Sequence, residues 1–483
     1  MSHTLTSPAR RPAVLSRATL ATFAALSAGL AAAAGAQVPQ TRRQAAPETL
    51  TAEYRKAVVD SVAAHLTRFY AVADTGRMIA EHVKRRHAQG AYEGVTSPQR
   101  FAELLSVDLK AINGDRHLAV FVAGPGGGGL PPGTTRLPRM GFAGRPGGQG
   151  MTPPPQVVAA ERRNHFNLGR VDILPGNVGY FDMRGFSNMP EAQDAVVHAL
   201  RYLEFTDAII LDVRNHPGGG GALSNFIVSH FTGKDTVHTL DVYVRANDER
   251  QQRWTLPEVP GPRRPDVPVY ILTGRGTVSA GEDFAFVMKN LGRATLVGET
   301  TAGAGRNNPS FDTGLGFLTS VSVSQVKDPK TGAEWEGTGV QPHVRVPVRT
   351  ALEAAHSLAL RSLAERADDP MRKRALEMTR EYVEAQARPR AVPAATLKRY
   401  EGVYGGERTF TVENGQLWFR RSPERMSQEL VALSDSTFAL GPLVRLAFEQ
   451  DGAAWRLRIT PPGAEPLVLA RTGPVPNIPS EWR

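Results

Sequence analysis

The segment Gly276-Thr-Val-Ser279-Ala-Gly-Glu-Asp283 places a serine where a buried strand is expected to end and a helix to begin. The first N–H groups of a helix have no partners within it, and the helix dipole is positive at that end. Such a serine can act as a nucleophile whose transition state carries negative charge. The same position also suits an ordinary helix-capping serine, so this segment alone leaves both interpretations open.

A second segment, Asp212-Val-Arg-Asn-His-Pro-Gly-Gly-Gly-Gly221, combines a strand end with a run of glycines. Glycines allow a sharp turn that leaves backbone N–H groups free to bind an anion or a developing oxyanion. A phosphate site is the rival interpretation, but the run has no Lys-Ser/Thr ending and does not fit G-x-G-x-x-G. A purely structural turn also remains open.

The third segment is Gly114-Asp-Arg-His117, just before an apolar run that begins at Leu118. A serine nucleophile needs a base with a pKa near neutrality, and histidine is the usual one. His117 is one of 12 histidines, so a surface histidine is the plain alternative.

The elements around these segments predict a fold with several parts. Apolar residues at helical spacing from Leu50 to Leu66 begin a small helical domain, and Ser97 is the predicted N-cap of a later helix there. Continuous apolar runs at 208–212 and 269–272, each followed by a helical pattern, predict an α/β core with parallel strands. Short alternating runs between 395 and 472 predict a small all-β module, with a barrel as one form.

Composition excludes several classes of protein. The chain has 483 residues and a net charge of +10, but its arginines are scattered, so we expect no nucleic-acid partner. The absence of cysteine excludes disulfides, thiolate catalysis and Cys-ligated zinc. Arg10, Arg11 and Arg17, an apolar stretch over 18–33 and small residues up to Ala36 predict a secretory signal cleaved after Ala36. An uncleaved anchor is the alternative, and no later stretch predicts a membrane span.

These patterns divide the chain into seven parts. They are a signal peptide (1–36), a tether (37–48), an N-terminal helical domain (49–117), a strand with a Gly/Pro-rich insertion (118–170), an α/β core (171–348), a helical linker (349–392) and a C-terminal β module (393–483). The Gly/Pro-rich part of the insertion, 124–155, is expected to be disordered because it has little apolar surface to bury.

Together the three segments resemble the tail-specific proteases and the tricorn core protease, most closely the interphotoreceptor retinoid-binding-protein-like branch. Trp335-Glu-Gly-Thr-Gly-Val-Gln-Pro342 resembles that family's late motif, which carries an acid. The resemblance implies a ClpP/crotonase-like core and an exported serine peptidase of the periplasm or cell envelope, acting on peptides or unfolded chains without metal or organic cofactor. It implies Ser279 as nucleophile, His117 as base and Glu336 as orienting acid. Gly218 or Gly219, with Ala280, would form the oxyanion hole.

The sequence also departs from the family. No lysine lies between Lys289 and Lys327, where the Ser–Lys branch carries its base, so the histidine is favoured. Arg116 stands where the tricorn pattern has a serine, and His216 stands where many relatives have asparagine. No segment predicts a PDZ domain. The alternative function is a non-catalytic binding protein for a hydrophobic ligand on the same fold; the substrate-binding residues and oligomeric state are not predicted.

Overall fold

The structure, a computed structural model, describes residues 45–123, 155–422 and 425–476. The predicted signal peptide, residues 37–44 of the tether and residues 124–154 of the Gly/Pro-rich stretch lie outside these residues. Helices and strands are numbered in chain order. The helices are α1 Ala52–Phe69, α2 Ala73–Ala88, α3 Pro98–Lys110, α4 Pro155–Arg163, α5 Glu191–Tyr202, α6 Gly221–His230, α7 Ala280–Asn290, α8 Ala351–Arg366, α9 Pro370–Ala387 and α10 Ala394–Tyr400.

Helices α1 to α3 form the predicted N-terminal helical unit. The side chains of Thr51 and Ser97 accept hydrogen bonds from the first turns of α1 and α3, which confirms Ser97 as an N-cap. The buried face of α1, with Val58, Val62 and Leu66, packs in one cluster with Phe317 from the later part of the chain. The helical unit therefore shares a hydrophobic core with the region that follows it.

A central sheet lies at the middle of the chain. Among the described residues it contains β2 Leu168–Leu174, β3 Val178–Met183, β4 Ala208–Asp212, β7 Val269–Thr273, β8 Thr295–Gly298 and β12 Val344–Arg345. Their order is β12-β8-β7-β4-β3-β2, and all neighbours are parallel except the β2–β3 pair. This confirms the predicted parallel core and adds an antiparallel edge strand.

Helices cover both faces of this sheet. Ile209, Leu211 and Ile271 point into a core that contains α5, α6 and α7, whereas the alternate residues Ile210 and Leu272 point toward α8. Strand neighbours alternate faces, so two-sided burial explains the continuous apolar runs in β4 and β7. Asp212 pairs with Leu272, so β4 and β7 end at the same edge of the sheet.

Two small antiparallel sheets flank the core. One contains β1 Ala119–Val122, β9 Ser310–Asp312 and β10 Phe317–Ser320, in the order β1-β10-β9. The other contains β5 His238–Val244, β6 Glu249–Trp254 and β11 Ser324–Lys327, in the order β11-β5-β6. The pairing of β1 with β10 ties the segment that carries His117 to the α/β region, a connection that local patterns in the sequence do not reveal.

The C-terminal module is a nearly closed antiparallel sheet that follows α10. Its strands are β13 Gly402–Tyr404, β14 Arg408–Glu413, β15 Gln416–Arg420, β16 Gln428–Glu429, β17 Val431–Ala432, β18 Thr437–Leu440, β19 Val444–Asp451, β20 Ala454–Thr460 and β21 Leu467–Gly473. The edge strands β16 and β17 are separated only by Leu430, so the ends of the sheet meet. In the described parts of the chain, no helix is long and apolar enough to cross a membrane.

Candidate active site

Ser279 lies at the turn between β7 and α7, where it is the N-cap residue of the helix. Its backbone has φ 54° and ψ −116°, a conformation that costs a non-glycine residue about 1–3 kcal/mol. The residue is only 8% exposed. Ser279 thus lies between the end of β7 and the start of α7, in a sharp strand-to-helix turn of the kind that can carry a nucleophile.

The turn that carries Ser279 is fastened to the neighbouring glycine turn after β4. Val278 N–H donates to the carbonyl of His216 at 2.9 Å. The Thr277 hydroxyl donates to the carbonyl of Val213 at 2.7 Å. Both bonds join the turns that follow adjacent strands, so the two predicted site segments are directly connected.

Gly218 and Gly219 have φ values of +119° and +137°, which side-chain-bearing residues rarely adopt. A Cβ on Gly218 would lie 3.0 Å from the Cβ of Ser279, and a Cβ on Gly219 would lie 2.0 Å from the carbonyl oxygen of Phe186. The backbone of this turn therefore approaches both the serine and the neighbouring chain too closely for any other residue.

The N–H groups around Ser279 are not equivalent. Gly218 N–H donates to Nδ1 of His216 at 3.2 Å. Among the described residues, the N–H groups of Gly219 and Ala280 donate no hydrogen bond. Two unengaged donors, one on each turn, are the arrangement that binds an oxyanion.

The Glu282 carboxylate is completely buried below Ser279. It accepts hydrogen bonds from the backbone N–H of Ser279 at 2.9 Å, the hydroxyl of Thr301 at 2.5 Å, and the N–H groups of Gly303 and Ala304 at 2.6 and 2.8 Å. Burial raises the pKa of Glu282, and these four bonds oppose that rise. Glu282 thus connects the turn that carries Ser279 with the loop after β8.

His117 lies between α3 and β1 and is 8% exposed. Its N–H donates to Oδ1 of Asp115 at 2.9 Å, and its ring Nδ1 lies 3.9 Å from the same oxygen without a hydrogen bond. Its carbonyl accepts from the hydroxyl of Ser320 at 2.8 Å. Burial lowers the pKa of His117 below its usual value, while the charge of Asp115 opposes this. The imidazole is therefore neutral at pH 7, which is the protonation state of a base.

Glu336 is partly buried, and one of its oxygens accepts a hydrogen bond from Gly305 N–H at 2.7 Å. Burial, followed by the negative charge of Asp115, raises the pKa of Glu336 to about 7. The positive charge of Arg306 lowers the pKa of Glu336 and so opposes this rise. Glu336 therefore lies within electrostatic reach of the carboxylate beside His117 and titrates near neutrality.

The structure brings the predicted site residues into two adjoining groups. Ser279 lies against Gly218 in the first, and in the second Asp115, which the sequence did not predict, lies 3.9 Å from the ring of His117 and contributes its negative charge to the raised pKa of Glu336. The loop over 301–306 connects them, since Gly303 binds Glu282 and Gly305 binds Glu336. In the parts of the chain that are described, no hydrogen bond joins the Ser279 hydroxyl to His117, or His117 to Glu336.

Residues 177–346 match peptidase family S41, and residues 49–129 match the N-terminal domain of Peptidase_S41 in eukaryotic IRBP. The chain therefore carries the domains of peptidase family S41, with the IRBP-type domain at its N-terminal side. This confirms the predicted family and supports a serine peptidase.

The relatives agree with this family. The chain is 34% identical over 162 residues to a carboxyl-terminal-processing protease of Synechocystis sp., covering 33% of this chain and 36% of the relative. It is 27% identical over 173 residues to the carboxy-terminal processing protease CtpB of Bacillus subtilis, covering 35% and 34%. The chain thus spans about a third of the length of these curated relatives. A solved lipoprotein structure from Streptococcus agalactiae is 15% identical, with a TM-score of 0.41, covering 64% of this chain and 96% of that one.

Sequence reasoning missed four residues of the site region: Tyr70, Asp115, Glu282 and Arg306. The S-x-x-E spacing of Ser279 and Glu282 is a capping-box signal that could have identified the glutamate. Asp115 is two residues from His117, but only the fold shows that it, and not the exposed Arg116, faces the imidazole. Nothing in the sequence signals Tyr70 and Arg306, because the fold brings them to Asp115 from distant parts of the chain.

Proposed function

We propose that this chain is an exported serine peptidase that cleaves peptides or unfolded protein chains through an acyl-enzyme on Ser279. The observation that supports this best is the position of Ser279 at a strained strand-to-helix turn, beside the unengaged N–H groups of Gly219 and Ala280. Such donors stabilise the oxyanion of a tetrahedral intermediate, and losing one costs about 2.7–4 kcal/mol of barrier.

In the proposed reaction the Ser279 hydroxyl attacks the carbonyl carbon of the scissile peptide bond, and its proton passes to His117. The oxyanion is held by Ala280 with Gly219, because the N–H of Gly218 is already engaged by His216. His117 then returns the proton to the leaving amine as the C–N bond breaks. Water, activated in the same way by His117, releases the acyl group from Ser279.

Glu336 has the proposed role of orienting acid for His117. This role is supported by its partial burial and by the influence of Asp115 and Arg306 on its pKa. Because no direct bond joins Glu336 to the ring, we propose that it acts through groups that lie between them. A lysine base is not favoured, since the amine of Lys289, at the far end of α7, donates to the carbonyl of Gln341.

The domain boundaries and the ClpP/crotonase-like type of the core remain proposals, as do the substrates. The relatives named as carboxyl-terminal-processing proteases suggest protein substrates. We propose peptides or unfolded chains in general, because no PDZ-like segment is evident in the sequence to recognise a free C-terminus.

A second candidate is a binding protein for a hydrophobic ligand on the same fold. The observation that favours it is the lack of a hydrogen bond between the Ser279 hydroxyl and His117. Catalytic hydrogen bonds are often long before substrate binds, which is why the peptidase is preferred.

Labelling with a fluorophosphonate probe separates the two candidates. The wild-type protein should be labelled, and Ser279→Ala should abolish labelling with little change in the melting temperature. Ser322→Ala is the matched control, since Ser322 is also buried and its hydroxyl has no hydrogen-bond partner among the described residues. A wild-type protein that resists the probe, or a labelled Ser279→Ala variant, would contradict the proposal.

Export is tested separately. Expression of the full chain in a Gram-negative host should yield a periplasmic product whose N-terminal residue is Gln37, as cleavage after Ala36 requires. A product that keeps residues 1–36 and stays with the membrane fraction would support the uncleaved anchor instead.

A further inference from the structure

Tyr70 follows the last residue of α1 and is completely buried. Its hydroxyl donates to Oδ2 of Asp115 at 2.9 Å, and it accepts from Nδ2 of Asn113 at 2.6 Å and Nη1 of Arg306 at 2.8 Å. A phenol has one proton and two lone pairs, so all of its hydrogen-bonding capacity is used. A buried hydroxyl with three partners fixes the position of each of them.

The three partners come from two loops of the candidate site. Asn113 and Asp115 lie on the short loop that ends at His117. Arg306 lies on the loop after β8, directly after Gly305, whose N–H donates to Glu336. The Tyr70 hydroxyl therefore joins the loop of the proposed base to the loop that binds the proposed acid.

Asp115 carries this connection to the histidine. Its side chain is fully inaccessible, and its two oxygens have different partners. Oδ2 accepts from Tyr70 and lies 4.0 Å from Nη1 of Arg306. Oδ1 accepts the backbone N–H of His117 and lies 3.9 Å from the ring Nδ1. The bond from Tyr70 thus fixes the orientation of the carboxylate, with one oxygen toward Tyr70 and the other toward His117.

We propose that Tyr70 is a positioning residue for His117: its hydroxyl holds Asp115 between Arg306 and the imidazole and keeps Oδ1 on the His117 side. This inference rests on the proposed function, in which His117 is the base, and it adds a residue of the IRBP-type domain to the site. Tyr70 itself contacts neither substrate nor the reacting atoms in this role.

The charges around the His117 ring determine how loss of the Tyr70 hydroxyl changes the pKa of His117. Asp115 raises the pKa of His117, whereas Arg306 and Lys110 lower it, and Glu336 lies within reach of Asp115. Without the Tyr70 hydroxyl, Arg306 loses its acceptor and pairs directly with Asp115. The carboxylate then moves away from the imidazole, and the pKa of His117 falls.

The test is Tyr70→Phe, compared with the matched variant Tyr92→Phe. The Tyr92 hydroxyl also donates to a buried aspartate, Oδ2 of Asp108 at 2.7 Å, and Arg86 lies 3.3 Å from that carboxylate. Both tyrosines are buried in the same helical unit, so the two variants should lose similar amounts of thermal stability. Only Tyr70→Phe should lower kcat, by tenfold or more, with KM changed less than twofold.

Two further measurements distinguish positioning from a structural role. The acidic limb of kcat/KM should move to lower pH in Tyr70→Phe and stay in place in Tyr92→Phe. An NMR titration of the His117 ring needs no substrate and should show the same shift. The proposal would be overturned if the two variants had the same kcat, the same acidic limb in the pH profile of kcat/KM and the same pKa for the His117 ring. A wild-type protein without labelling at Ser279, but with the shift in His117, would instead contradict the proposed function and leave the positioning intact.

Discussion

The Glu282 carboxylate and the backbone N–H of Ser279 are joined by a 2.9 Å hydrogen bond, three residues apart in the chain. The same carboxylate accepts from Thr301, Gly303 and Ala304, just before the residue that binds Glu336. One buried group therefore holds the serine in its strained conformation and also sets the course of the loop toward the acid.

Glu282→Gln should destabilise the protein and slow labelling of Ser279. An amide has one acceptor oxygen and a donor group, so at least one of the four donors around Glu282 would lose its partner. Each lost bond to a charged acceptor costs about 1.5–3 kcal/mol, measurable by denaturant unfolding. Glu299→Gln is the control, because Glu299 accepts a single bond from Val348 N–H at an exposed site. Wild-type stability and labelling in Glu282→Gln would refute this role.

His117→Ala should lower kcat/KM by about 10²–10⁴-fold at neutral pH, the usual contribution of a general base. In the wild type the acidic limb should lie below pH 6.5, because burial lowers the pKa of His117 from that value. His230→Ala is the control, since His230 is also buried and binds the carbonyl of Pro262 at 2.8 Å. Steady-state kinetics across pH 5–9 provide the measurement. Near-normal turnover in His117→Ala would show that His117 is not the general base.

Glu336→Gln should have an effect on activity that depends on pH. The pKa of Glu336 is raised to about 7, so below that pH the wild-type residue is mostly protonated and resembles glutamine. The ratio of wild-type to variant kcat/KM should be near one at pH 6 and should grow above pH 7. The exposed neighbour Glu334 provides the control variant Glu334→Gln. A ratio that stays constant from pH 6 to 9 would contradict a titrating role for Glu336.

The sequence predicts the elements better than it predicts their assembly. The runs in β4 and β7 are apolar without interruption because both faces of the strands are buried, so their assignment follows from local pattern. The pairing of β1 with β10 depends on long-range contacts, which leave no periodic signal in the sequence, whereas the edge strand β2 pairs with β3, the next strand in the chain.

The same contrast holds within the candidate site. The glycine turn is evident from the sequence because its positive φ values require glycine, and Ser279 is evident because it stands between a strand pattern and a helix pattern. Asp115, Tyr70 and Arg306 are ordinary residues whose importance arises only from burial and mutual contact. Their hydrogen bonds join positions that are 45 and 236 residues apart, beyond the reach of any local motif.

His216 offers a prediction about stability in acid. Its ring is completely buried against Phe186 and Gly281, and its Nδ1 accepts from Gly218 N–H. Its Nε2 makes no hydrogen bond within the part of the chain that the structure describes. Burial lowers the pKa of His216 from 6.5 to about 3. Below pH 6.5 His216 is protonated in the unfolded chain but stays neutral in the folded protein. The free energy of unfolding therefore falls as the pH decreases toward 3.

His216→Asn should weaken this dependence on pH. The asparagine oxygen can still accept the Gly218 N–H, but it does not titrate. Between pH 7 and pH 5 the wild-type protein should lose about 2 kcal/mol of unfolding free energy at this residue, and the variant should lack that loss. The measurement is the slope of the unfolding free energy against pH, because the stability at pH 7 alone also changes with packing. His198→Asn, at an exposed position, should keep the wild-type slope, and an unchanged slope in His216→Asn would show that the buried ring takes up a proton in the folded protein.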